Sequence, residues 1–234
     1  MLRSPDRNVK QIRGDVGAVK FLLCKRKKLP FTFEKRFQDN PAYPNYPNDP
    51  SGDPTGTTAV YREGIFMAYR GFNQKGIEPQ YPFGYGLSYT SFAYSDLDIE
   101  PARKGNNRKE DGRSEAEFAE QDGERDHLAR VSFTVSNTGN RAGAEVAELY
   151  VGQQNPAVPR PIKELKGFKK VFLQPGESRR ITLELDQRSF AYFNTATEQW
   201  DALPDTYNIL VGASSQDVRL KGKFKLQSEL TSNP

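Results

Sequence analysis

"VSFTVSNTGNRAGAEVAELYVG", residues 131–152, contains two apolar runs separated by a polar turn. Val131, Phe133 and Val135 recur at every second position, which puts them on one face of a strand. The "NTGN" of residues 137–140 reads as a turn, because Asn and Gly reach backbone conformations that other residues avoid. "AEVAELYVG", 144–152, resumes as a strand.

The same grammar extends in both directions. "SFAYSDLDI", 91–99, and "ARVSFTVSN", 129–137, are strands, and "KELKGFKKVFL", 163–173, runs into the turn "QPGES". "RRITLELD", 179–186, alternates Ile181, Leu183 and Leu185 with polar residues. "FAYFN", 190–194, and "EQWDAL", 198–203, flank a further turn, followed by "TYNILVGAS", 206–214, and "DVRLKGKFKL", 217–226. Short strands punctuated by turns predict an all-β chain built as an antiparallel sandwich over residues 88–228, with 229–234 as a tail. Roughly 100 residues of such strands, burying apolar surface at about 25 cal/mol per Å², offset their ordering entropy without disulfides.

The remaining segments are of different composition. Residues 1–28 hold nine Lys or Arg against two acids, and read as an unassigned basic tail without order. The 234-residue chain carries a formal charge of +4, so everything beyond that tail sums to −3. A basic face for phosphate is therefore not expected on the folded part, and nucleic-acid binding through "KRKK", 25–28, is the weakest of the readings. Mean hydropathy of −0.78, with 16 Pro and 19 Gly, predicts uneven order. Residues 29–57 are dense in Pro, Asn, Asp and Gly, which favours turns over regular pairing. Phe31, Phe33, Tyr43 and Tyr46 in that segment need another surface to cover them. Residues 101–126 carry six basic and eight acidic residues with Phe118 as the one large apolar group, and read as an exposed, mobile loop.

In "AVYREGIFMAYRGF", 59–72, Tyr61, Ile65, Tyr69 and Phe72 fall at helical spacing and predict a short helix. "YPFGYGLSYTSFAYSDL", 81–97, follows with six rings and reads as an aromatic hinge leading into the first strand.

Several chemistries are absent from the sequence. Cys24 is the single cysteine and His127 the single histidine, which removes intrachain disulfides and multi-histidine metal sites; a Ser-His-Asp or Cys-His relay would have to use His127 itself and is not expected. His127 borders the charged loop and is expected to face solvent. "GYGLS" lacks the Lys-Ser or Lys-Thr of a phosphate loop. The acids are expected on strand exteriors and loops, so no glycosidase carboxylate pair is assigned. No run reaches the ~18 apolar residues of a membrane span. "VGAVKFLLC", 16–24, is interrupted by Lys20 and does not read as a secretion signal, leaving localisation open.

"YREGIFMAYRGFNQKGIEPQYPFGYGLSYTSF", 61–92, closely resembles the segment that closes the second domain of family 3 glycoside hydrolases, the β-glucosidase and β-xylosidase group. The stretch quoted first, "PRPIKELKGFKKVFLQPGES" and "YNILVGASSQDVRL" resemble the fibronectin type III-like domain of these enzymes, and "KLPFTFEKRFQDNPAY", 28–43, resembles the segment preceding 61–92. The likeness covers about residues 28–226, apart from the charged loop. It implies an immunoglobulin/fibronectin III-like antiparallel β-sandwich, with residues 29–87 an irregular remnant of an α/β sandwich domain. "LPDTY", 203–207, departs from the family's Pro-Gly turn, and Asp205 tolerates that geometry.

The resemblance implies a retaining glycosidase whose nucleophilic Asp lies on a barrel domain in a Ser-Asp-Trp-like motif, with an acid/base Glu upstream. Neither has a counterpart here: Trp200 follows Gln199, and Ser95-Asp96 precedes Leu97. No catalytic, cofactor-binding or metal-binding residue is carried over, and no cofactor is expected. Glu63 is expected to be a structural partner. The implied partners are the catalytic domains of a parent β-glucosidase-like enzyme. A stand-alone module binding carbohydrate or protein through Tyr43, Tyr46 and Tyr81 is the alternative.

Overall fold

The computed structural model describes residues 28–45, 61–101 and 127–233. The expected basic tail with Cys24, the turn-rich stretch beyond Asn45 with Tyr46, and the charged loop with Phe118 lie outside the described residues, apart from their flanking residues.

Among the described residues, which also hold three single 3-10 turns, ten strands follow one short α-helix. They are β1 (Phe92–Pro101), β2 (His127–Asn137), β3 (Gly143–Gln153), β4 (Glu164–Leu173), β5 (Ser178–Asp186), β6 (Tyr192–Asn194), β7 (Gln199–Ala202), β8 (Asp205–Gly212), β9 (Val218–Leu226) and β10 (Leu230–Ser232). One sheet runs β1-β2-β5, the facing sheet runs β4-β3-β8-β9, and a small sheet runs β10-β7-β6. All recorded pairings between strands are antiparallel.

The alternation anticipated in β2 is realised, with Val131, Phe133 and Val135 fully buried. Their partners come from both sheets: Ile181 and Leu185 on β5, Ala147, Leu149 and Val151 on β3, Tyr207, Ile209 and Val211 on β8. Interleaving side chains from two inner faces makes a single core, which is the stabilising principle of a sandwich. Asn137 closes the corner after β2. Its side chain donates to the carbonyls of Arg141 and Leu173 at 2.8 and 3.0 Å and accepts from Thr90 Oγ1 and the Gly139 N–H.

Two elements differ from the sequence expectations. The helix, α1, spans Ala68–Lys75 and not 59–72. Gly64 at φ +53° belongs to a turn closed by its own N–H on the Tyr61 carbonyl, so Tyr61 and Ile65 precede the helix and stay exposed. Tyr69 and Phe72 are buried as anticipated. Gly76, at φ +63°, ends α1 while the Ile77 N–H returns to the Phe72 carbonyl, a left-handed cap natural to Gly. The expected tail also supplies β10, because Leu230–Ser232 pairs with Trp200–Ala202.

Candidate functional site

The aromatic hinge lies on the outside of the sandwich. Backbone bonds join Leu29 to Tyr85 and Gly84, and Phe33 to Gln80 and Tyr81, so residues 28–33 and 80–85 form a ribbon. The Ser215 N–H donates to the Phe83 carbonyl at 2.8 Å, tying that ribbon to the β8–β9 turn. Tyr69 of α1 lies against Phe83 and edge-on to Tyr150, with centroids 5.1 and 6.0 Å apart, and its hydroxyl accepts from the Leu165 N–H at 2.9 Å. Tyr69 therefore packs α1 against β3 and β4, with Phe83 against the same ring.

This cover explains two acids that the sequence placed on the surface. Successive residues of β3 point to opposite faces, so Glu145 shares a face with Ala147 and Leu149, while Glu148 shares the other with Tyr150. Both carboxylates are buried, because the hinge encloses the outer face and Lys28 and Tyr94 enclose the inner one. Lys28 Nζ donates to Glu145 at 3.2 Å and to the Ala213 carbonyl at 2.8 Å. Tyr150 donates to Glu148 at 2.5 Å. Gly84, at φ +80°, passes so close that a Cβ there would collide with the Glu148 carboxylate. Burial pushes the Glu148 carboxyl up to about 7, against the opposing pull of Tyr150 and Lys28. Burial, and then the neighbouring carboxylate, push Tyr94 and Tyr150 up as well. Glu145 and Glu148 face opposite sides of β3, so they do not flank one substrate space as a glycosidase pair would.

Other residues singled out in the sequence disperse. Glu63 accepts from Asn45 Nδ2 at 2.5 Å, a structural pairing within the segment before α1. Asp96, at φ +54°, sits in an exposed bulge of β1 and accepts from Ser95. His127 is half-buried at the start of β2 instead of facing solvent, because Asp186 of β5 pairs alongside it. Asp205 accepts from the N–H groups of Asn155 and Thr206, fastening the turn before β8. Tyr43 contacts Phe37, and Tyr81 contacts Phe33 and Tyr85. No group of three potential metal ligands occurs among the described residues.

Two grooves open on the surface, one beside the hinge and one beside α1. One, about 630 Å³, lies between residues 78–92 and the β8–β9 turn and carries the bidentate Asp217–Arg219 pair. The other, about 750 Å³, runs between α1 and the β6–β7 hairpin, with Arg70, Glu164 and Lys166 at one part and Phe193 and Trp200 at another.

The fibronectin type III-like domain family matches residues 145–215, from β3 to the β8–β9 turn. The thermostable β-glucosidase B of Acetivibrio thermocellus is 39% identical over 201 residues, spanning 86% of this chain and 23% of its own length. This chain corresponds to the C-terminal, fibronectin type III-like portion of family 3 glycoside hydrolases. The module's fold agrees with β-glucosidase 3B from Thermotoga neapolitana, solved with α-D-glucose, at a TM-score of 0.72 and 36% identity over 89% of this chain and 26% of that one. The β-glucosidase of Kluyveromyces marxianus gives 0.72 and 33% over 88% of this chain and 21% of its own. The module thus spans about a quarter of the length of the relatives it matches.

Proposed function

We propose that this chain is the non-catalytic structural module of a β-glucosidase-like hydrolase and serves it by docking. On this reading residues 29–87 belong to the α/β domain of the parent, and the sandwich holds that segment in place for the rest of the enzyme. The observation that supports it is the asymmetry of the segment 29–87. Its inner side is fixed to the sandwich through Tyr69, Phe83, Gly84 and Glu148, whereas Phe31, Ile65, Met67 and Leu87 stand exposed on the same segment. Large apolar side chains left exposed along a segment outside the core are what a covering domain would bury.

The purified chain is expected to release no aglycone from 4-nitrophenyl β-D-glucoside. Turnover comparable with that of a full-length β-glucosidase would refute the reading. As a positive test, the chain should bind β-glucosidase 3B from which the matched quarter has been removed; absence of binding would count against docking through this segment.

A further inference from the structure

The groove beside α1 has a charge imbalance. Arg70, Arg160 and Lys166 all converge on the single carboxylate of Glu164, at 3.6, 3.1 and 3.6 Å. Glu164 is the sole acid among the groove's described lining residues. Arg160 is already committed, donating to Gln153 and to the carbonyls of Phe190 and Ala191. Lys166 and Arg70 share what remains of Glu164. The Lys166 side chain is only 18% exposed, and burial holds its ammonium below the usual lysine range. Surplus positive charge in a half-buried groove is costly until an anion compensates it.

The other part of the groove is aromatic. Phe193 meets Trp200 edge-on at 5.5 Å and is 41% exposed, and Arg188 covers Trp200 at 5.1 Å from the ring. An aromatic wall accepts the apolar face of a pyranose, while ammonium and guanidinium groups accept a carboxylate. The volume, about 750 Å³, falls within the range of small-molecule sites.

We propose that this groove binds a hexuronate residue, with its ring toward Phe193 and Trp200 and its carboxylate toward Lys166 and Arg70. A neutral hexose would leave the cations uncompensated, and a bare carboxylate would leave the aromatic wall unused. Ile65 lines this groove and also stands on the proposed docking surface, so the two readings share a face; the ligand titration of the chain alone and the docking experiment test them separately.

Trp200 is the only tryptophan of the chain, so its fluorescence reports on this groove directly. The intact chain is titrated with D-glucuronate, D-glucose and acetate at constant ionic strength. A saturable change is expected for glucuronate, with affinity at least ~10-fold above that for glucose or acetate. Lys166→Met and Arg70→Met should each weaken glucuronate binding by about tenfold. No saturable change with glucuronate would overturn the proposal. Equal binding of acetate would reduce the groove to a simple anion site, and equal binding of glucose would remove the role of the cations; both outcomes also refute it. If one variant fails to fold, the other decides, and the ligand comparison on the unsubstituted chain stands without either.

Discussion

Asn137 and Glu148 show how single side chains secure this module. Asn137 is buried and uses both ends of its amide on four partners from three stretches of the chain. Asn137→Ala should cost about 2–4 kcal/mol, since the Leu173 carbonyl is left buried without this donor; urea unfolding measures it. Glu148 predicts a pH dependence of definite sign. Its carboxyl, raised from 4.5 to about 7, keeps a proton in the folded chain over a range where the unfolded chain has released it. Its contribution is therefore most favourable below pH 4.5 and is lost as pH rises through 7, amounting to about 3 kcal/mol. Glu148→Gln, neutral at every pH, should flatten this part of the stability profile between pH 5 and 8. An unchanged slope would show that the proton resides elsewhere.

At the scale of elements, the strands follow from period-two patterning, and α1 shows where local pattern falls short. Tyr61, Ile65, Tyr69 and Phe72 fit one helical face, yet only the last two are helical and buried. The left-handed Gly64 turn breaks the pattern between Tyr61 and Ile65, the helix starts only at Ala68, and contact with the sandwich holds the later pair. Phe72→Ala should therefore cost about 3 kcal/mol and loosen α1, whereas Tyr61→Ala should stay within ~0.5 kcal/mol. Hydrogen exchange of residues 68–77, beside urea melts, distinguishes the two outcomes. The buried acids of β3 depart from the expected surface position for a related reason. Alternation assigns Glu148 to an outer face, but it cannot reveal that residues 81–85 fold back over that face.

For the whole molecule, the exposed apolar side chains of residues 29–87 should make the isolated chain self-associate at high concentration. Ile65→Ser combined with Met67→Ser should reduce that association in sedimentation velocity while leaving stability within ~0.5 kcal/mol. Unchanged association would place the sticky surface elsewhere. The sandwich and its inward faces are legible in the sequence alone, because strand periodicity is a local property. The family motifs pointed to the hydrolase relatives. Only the tertiary structure decided that β3 is covered on both sides, that α1 begins at Ala68, that Leu230–Ser232 closes a small sheet, and that Arg70, Glu164, Lys166, Phe193 and Trp200 border one groove. These residues are brought together by contacts between segments far apart in sequence, and no local pattern encodes which surface another segment will cover.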